Sequence, residues 1–346
     1  MRLGVLIFGQ AGDPHIDRVG YYLRHLGVEV QVFDQYRDQA SILFDRAPGR
    51  WSYADWLEDL DGAAVWSRVK LPFGEVREEF SDLFPPADAP VGPYQTRMYW
   101  RAEWQVFNRA LLRKAYKFLS NARIVNLGVL TEDADCKPVQ LEVAARLGLR
   151  IPFTVIGNSE ATLDASFGEE LLYKPLSTNP VAGTGVPMPA MLRKADVLAE
   201  SRATVAPAIY QERIKKLREV RVNVAGDAVN VINIDSQRLN YAKLDWRLAQ
   251  RRADIYSPGE IPDALKSKIL AYMDEMKLDV AAFDFAVTPD SEFVFFECNP
   301  GGQWLWLEEF VELPIARDVA TAIHRIALRA AETRVEKLTT PVSISA

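Results

Sequence analysis

The sequence predicts an α/β (α+β) protein whose N-terminal part is an open α/β sheet with parallel strands. Two observations lead there. The chain opens as strand, helix, strand, an order that needs a crossover connection and hence a parallel sheet. Near its end lies a hairpin of largely apolar strands, Phe283 to Asn299, followed by an amphipathic helix.

The elements follow in order. Leu3 to Phe8 is a continuous apolar run stopped by Gly9. A helical pattern runs from about Pro14 to Leu26 and is ended by Gly27. Val28 to Phe33 reads as a second strand and Ala63 to Ser67 as a further one. The loop GQAGDPH lacks the G-x-G-x-x-G spacing, so no dinucleotide site is expected there. Trp100 to Leu119 reads as a long amphipathic helix, and Arg123 to Asn126 as a short strand near a domain boundary. In DADCKPVQLEVAARLGL, Asp135 is placed to cap a helix, Pro138 fits its first turn, Val139, Val143 and Leu147 share a face, and Gly148 ends it. Ile151 to Ile156 and Leu171 to Lys174 are strands on either side of a small helix. The segment STNPVAGTGVPMP has no periodicity and reads as an exposed loop. Ala208 to Arg213, Glu219 to Val224 and the segment GDAVNVINIDS read as strands and a turn, Lys266 to Met276 as a helix, and Ile315 to Glu332 as a terminal amphipathic helix.

With 346 residues, 49% of them hydrophobic and 25% charged, the chain is long enough for two or three domains with ordinary cores. The net charge of −6 arises from 41 basic and 47 acidic residues mixed along the chain, so the basic footprint of a nucleic-acid binder is missing. Two cysteines, Cys136 and Cys298, form neither a disulfide framework nor a metal-ligand spacing, which suggests a reducing, cytoplasmic setting. No apolar stretch is long enough to span a bilayer, so no membrane role is expected.

The sharpest chemistry lies in FDFAVTPDSEFVFFECNP, where Asp284, Glu297 and Asn299 interrupt apolar strands. If Pro289 to Glu292 is a four-residue loop, Thr288 pairs with Phe293, and counting back sets Asp284 opposite Glu297, with Asn299 on the same face. Two carboxylates and an amide oxygen suit Mg²⁺. An edge hairpin with a solvated acidic face fits the same residues. Lys174 ends an apolar strand and calls for an anionic partner such as phosphate, whereas Lys137 by itself also reads as a surface residue. The Gly-containing loop that follows offers backbone N–H groups to phosphate, or is simply a surface loop. Arg221 and Asn223 share the face opposite Val220, Val222 and Val224, giving a cation for transferring charge or, alternatively, a surface ion pair with Glu219.

Lys137, Lys174, the strand pair QERIKKLREVRVNVAGDAV and the D…E-x-N hairpin, in this order, resemble the ATP-grasp fold. The resemblance implies an N-terminal pre-ATP-grasp domain over 1–125, a central subdomain over 126–209 and a C-terminal catalytic subdomain over 210–335. It implies ATP held by Lys137, Lys174, the hinge residues Gln211, Glu212 and Ile214, and the loop glycines Gly183 and Gly185. Mg²⁺ would sit on Asp284, Glu297 and Asn299, with Arg221 and Lys174 catalytic.

A narrower resemblance is to the graspetide (microviridin-type) peptide maturases. It rests on AVWSRVKLP from Ala64, INIDSQ from Ile232, DWR from Asp245, and NPGGQWLWLEE from Asn299. It implies phosphorylation of Asp or Glu side chains in a ribosomal precursor peptide, leader and core, followed by ester or amide closure. Ser236, Gln237, Asp245, Arg247 and Trp304 would hold the peptide, although Trp304 and Trp306 equally suit a core. A homodimer is implied as well. A small-substrate amino-acid or dipeptide ligase, and a non-catalytic nucleotide- or peptide-binding protein of the same fold, are the alternatives. His15, His25 and His324 fall outside the site, so no general base is assigned.

Overall fold

The structure is a computed structural model that describes residues 3–34, 43–44, 51–52, 63–68, 123–130, 133–176, 189–199 and 202–339, with helical positions at 103, 106–107, 109–110 and 113. The expected loop glycines Gly183 and Gly185, and most of the expected 100–119 helix, lie outside these residues. Contacts divide the chain into one unit of Met1–Leu130 with Ala316–Ala346 and a second of Thr131–Ile315.

In the first unit, β1 (Gly4–Gly9), α1 (Pro14–His25), β2 (Glu29–Asp34), the short β3 (Leu43–Phe44) and β4 (Trp51–Ser52), β5 (Ala64–Ser67), β6 (Arg123–Val125) and α2 (Leu127–Leu130) follow one another. Strands β2-β1-β5-β6 form a wholly parallel sheet, as the strand–helix–strand opening requires. Asp13 caps α1, its carboxylate accepting from the His15 N–H at 2.8 Å.

The second unit opens with α3 (Lys137–Arg146). Its N-cap is Cys136 with no side-chain cap bond, so Asp135 is not the cap. The helix starts one residue later than expected, with Pro138 at its second position. Its buried stripe is Gln140, Leu141, Val143 and Ala144, displaced from the expected Val139–Val143–Leu147 line. Gly148, at φ +75°, ends the helix as expected.

Next come β7 (Thr154–Gly157), α4 (Glu160–Ser166), β8 (Glu170–Lys174), β9 (Ala190–Arg193), α5 (Lys194–Leu198), α6 (Arg202–Val205) and β10 (Ala208–Gln211). They form an antiparallel sheet in the order β7-β10-β8-β9. One face, with Tyr210, Ala208, Leu171 and Tyr173, packs with Leu163, Phe167 and Val197 into a core. The cross-strand pairs place Thr154, Gln211, Leu172 and Met191, and likewise Ile156, Ile209 and Lys174, on the other face.

A five-stranded antiparallel sheet completes the unit, from β11 (Arg218–Ala225), β12 (Ala228–Ile234), β13 (Tyr256–Pro258), β14 (Val280–Val287) and β15 (Phe293–Asn299), in the order β13-β12-β11-β14-β15. Between β13 and β14 lies α7 (Asp263–Glu275), whose Tyr272 meets Phe283 and Phe295 at ring distances of 5.3 and 5.7 Å. This aromatic packing uses one face of β14 and β15, leaving the face of Arg221 and Asp284 for polar groups. The short α8 (Leu305–Val311) follows, and α9 (Ile315–Thr339) ends the described chain. From Ala316 onward α9 belongs to the first unit.

Candidate active site

The hairpin reaches its geometry by a different route from the one counted in the sequence. Val287, not Thr288, pairs with Phe293, so the connection is one residue longer than expected, and Thr288 N–H donates to Glu292 O at 2.9 Å. From that register an unbroken ladder sets Asp284 opposite Phe296 and turns Glu297 into the aromatic core. A bulge intervenes: Phe285 pairs with Phe295 and Asp284 with Glu297, leaving Phe296 as the extra residue. The carboxylates are therefore cross-strand neighbours after all, and Asn299 lies on the same face, opposite Ala282.

Arg221 on β11 is directly opposite Asp284. Its Nη1 donates to both Asp284 oxygens, at 2.9 and 2.8 Å, and its Nη2 to Gln303 O at 3.2 Å. The alternative pair with Glu219 does not form, because Glu219 is taken by Lys216 at 2.5 Å and by the Ser236 hydroxyl. Burial pushes the Asp284 carboxyl up to about 6; Arg221 acts against the rise and the nearby Glu297 adds to it.

Among the described residues no three of His, Cys, Asp and Glu converge on one point, so a cation here would take its third donor from the Asn299 amide. The donor chemistry fits a hard divalent ion: two carboxylates and an amide oxygen on one face, with one carboxylate buried at a cost that positive charge relieves.

Lys174 ends β8 with its Nζ 4.6 Å from the centroid of Phe296, and Lys216 lies 5.8 Å from the same ring. Burial lowers the Lys174 pKa to about 8; Glu297 opposes the fall, and the like charges of Lys137 and Lys216 deepen it. Lys137, in the first turn of α3, donates to Pro175 O at 3.0 Å, just beyond Lys174. The three lysines form one basic cluster. Lys216 was missed in the sequence, since a lysine in a polar stretch before a strand carries no signal of burial.

The floor beside this cluster is the face of the β7-β10-β8-β9 sheet that carries Ile209, Leu172 and Gln211. Ile209 and Leu172 are buried there, and Gln211 is 2% exposed with its Nε2 donating to Thr154 Oγ1 at 2.9 Å and its Oε1 unpartnered. The hinge residue Glu212 binds the Phe153 backbone through both its N–H and its carboxylate, and Ile214 is half-buried.

The expected peptide-side residues divide into two groups. Asp245 and Arg247 form a close ion pair, with Arg247 Nε donating at 2.9 and 3.0 Å, and the Arg247 side chain is 43% exposed. Asp245 raises the Arg247 pKa, and Glu297 and Asp284 add to the rise, so this guanidinium feels the carboxylate pair. Ser236, by contrast, is fully buried, and Trp304 is 3% exposed. Neither presents a surface to a peptide in this structure. Gln237 donates to Ser236 Oγ at 2.8 Å and Lys243 O at 3.2 Å, while Lys216 donates to Leu244 O at 3.1 Å. Ser236, Gln237, Glu219 and Lys216 thus hold the backbone that leads into Asp245 and Arg247. Trp306 rather than Trp304 joins an aromatic group with Trp246, at 5.8 Å, and the buried Tyr256, at 5.1 Å, and Arg221 lies 5.8 Å over Trp246.

No protein-family model matches the chain, and no curated protein matches it in sequence. Solved structures do. A RiPP-associated ATP-grasp ligase from Chryseobacterium gregarium, in complex with ADP and a leader and core peptide, superposes with TM-score 0.71 at 23% identity over 99% of this chain and 98% of that one. The macrocyclase MdnC from Microcystis aeruginosa MRC, bound with precursor peptide MdnA, gives TM-score 0.70 at 22% identity over 93% and 99%. The macrocyclase MdnB from the same organism gives 0.64 at 23% over 92% and 98%. The chain has the ATP-grasp fold that its lysines, strand pair and carboxylate hairpin led us to expect.

Proposed function

We propose that the protein is an ATP-dependent ligase that activates Asp or Glu side-chain carboxylates of a ribosomal precursor peptide as acyl phosphates and closes them to esters or amides. The observation that carries the reading is the convergence, on one sheet face, of the Asp284–Glu297 pair, Arg221 and the Lys137–Lys174–Lys216 cluster beside an apolar floor. The solved structures of this fold that superpose over nearly the whole chain include ligases in complex with leader, core or precursor peptides.

In this reading Ile209 and Leu172 would take the adenine together with Gln211, Glu212 and Ile214, and the lysine cluster would take the phosphates. Asp284, Glu297 and Asn299 would hold Mg²⁺, which would supply positive charge to neutralise phosphate. Lys174 and Arg221 stabilise the charge that builds on the transferring phosphoryl group. The peptide carboxylate attacks that group, ADP leaves, and a hydroxyl or amine of the same peptide then displaces phosphate from the acyl carbon. Asp245 and Arg247 border the peptide side, with Arg247 exposed enough to meet an acidic side chain. Most of the acceleration comes from holding nucleophile and acyl phosphate together away from water. The proposal extends to a cytoplasmic homodimer. Both described cysteines are free thiols, and no described helix is long and apolar enough to cross a membrane.

The test is ADP release by the purified protein with Mg·ATP, with and without the peptide encoded beside its gene, and with Asp284→Ala as control. Peptide-dependent release with loss of water mass from the peptide is the expected result. Release stimulated only by free amino acids would establish a small-substrate ligase instead, and none with any acceptor a binding protein.

A further inference from the structure

The three ammonium groups of the basic cluster differ in what holds them. Lys137 donates to Pro175 O at 3.0 Å. Lys216 is held by Glu219 at 2.5 Å and donates to Leu244 O at 3.1 Å. Among the described residues the Nζ of Lys174 makes no hydrogen bond and no ion pair; Glu297 and Asp245 attract it from farther off. It stands instead over the ring face of Phe296, 4.6 Å from the centroid, and Lys216 lies 5.8 Å from the same ring.

The chemistry of that ring gives the contact a meaning. Burial pushes the Lys174 ammonium toward its neutral form, and the like charges of Lys137 and Lys216 push the same way. An aliphatic side chain in place of Phe296 would cover the ammonium and offer it nothing. A phenyl ring covers it and also presents the negative face of its quadrupole, at a distance where a cation–π contact is effective. An ammonium carries three donors, and a ring face occupies only one side of it. Lys174 is therefore the member of the cluster with donors to give to a phosphate, whereas Lys137 and Lys216 already spend theirs on the protein.

We propose that Phe296 is a positioning residue for Lys174: its ring face keeps the ammonium charged and in place, so that a phosphate meets a lysine already ionised and oriented. Phe296 directly precedes Glu297 on β15, so one short stretch of strand serves both the carboxylate pair and the lysine. The phosphate step rests on the function proposed above; the contact between ring and ammonium does not.

The experiment replaces Phe296 in the full chain by mono-, di- and trifluorophenylalanine, which keep the shape of the ring and drain charge from its face stepwise. Phe296→Leu removes the ring altogether. The Hε–Cε signal of Lys174, identified by its loss in Lys174→Arg, is followed by NMR over a pH titration without nucleotide, and ADP and adenosine affinities are measured by calorimetry near the wild-type midpoint. We expect an upfield ring-current shift of the signal in the wild type, lost in Phe296→Leu. The titration midpoint should fall with each fluorine, by about 0.5–1.5 pH units in all, the shift equivalent to a cation–π contact that favours the charged form about 3–30-fold. ADP binding should weaken in step while adenosine binding stays within about twofold, since only ADP uses the charge. A wild type without the upfield shift, or a midpoint that stays flat across the fluorinated series, would overturn the proposal and leave Phe296 a packing residue. Adenosine weakening in parallel with ADP would make the ring a contact for the base and overturn it too, as would a falling midpoint with unchanged ADP affinity. A midpoint that falls in a protein binding neither ADP nor adenosine would uphold the hold of the ring on Lys174 and overturn the nucleotide reading of the site.

Discussion

Lys174 and Arg221 do opposite electrostatic work at single positions. Lys174 is a cation held where burial disfavours its charge, with a pKa of about 8. Its lowered value means that the charged form burdens the folded state at neutral pH and the burden lifts as pH rises through 8 toward the unfolded value. Phosphate binding needs the charged form, so nucleotide affinity should fall as pH is raised through about 8. Lys174→Arg, charged throughout, should flatten that profile, which calorimetry from pH 7 to 9 would read. Arg221 holds a buried carboxylate, with side-chain exposures of 6% and 13% across the pair. Arg221→Met should destabilise the fold by about 3–5 kcal/mol, the cost of stranding a buried charge. Chemical denaturation measures it, and saturating Mg²⁺ should recover part of the loss.

At the level of elements, the segments after β15 and after β12 shape the site from two sides. A Cβ on Gly302 would lie 2.9 Å from Ala282 Cβ and 3.0 Å from Arg221 Nη2, so the turn after Asn299 packs against the sheet with no room for a side chain. Gly302→Ala should cost about 1–3 kcal/mol by overpacking and shift Arg221, lowering kcat for peptide-dependent ADP release even at temperatures where the variant remains fully folded. On the other side, Lys216 and the buried Glu219–Ser236 pair hold the turn that carries Asp245 and Arg247. Ser236→Ala should raise the KM for peptide while leaving the KM for ATP within about twofold, because a lost hydrogen bond of about 1 kcal/mol loosens only that turn. Equal changes in both constants would place Ser236 in the nucleotide half instead.

For the whole molecule, the residues that the proposed function assigns to nucleotide and acceptor lie within the single unit Thr131–Ile315, on a four-stranded and a five-stranded sheet. A ligand that binds only the folded unit raises its stability by mass action, about 2.7 kcal/mol at a hundred times Kd. Mg·ATP should therefore raise the melting temperature of the wild type, and the Asp284→Ala protein should show a smaller rise at the same concentration. Differential scanning fluorimetry decides it.

Most of the main strands and helices, the parallel sheet at the N-terminus and the placing of Asp284, Glu297, Asn299 and Arg221 on one sheet face were legible in the sequence, because each is a local matter of periodicity or of a polar residue in an apolar strand; the short strands Ala190–Arg193 and Tyr256–Pro258 and the helix Leu305–Val311 were not. The face shared by Asp284 and Glu297 was reached there by a four-residue loop that does not exist; a longer connection and a compensating bulge at Phe296 produce the same neighbours. A bulge leaves no trace in alternation when both Phe295 and Phe296 are aromatic. The holding roles of Lys216 and Ser236 stayed invisible for a related reason: Lys216 reaches Leu244 O and the Ser236 hydroxyl reaches Glu219, and a polar residue looks exposed until the fold supplies such partners. Local pattern determined what this protein is made of, and long-range hydrogen bonding decided which of its polar residues face the chemistry and which hold it in place.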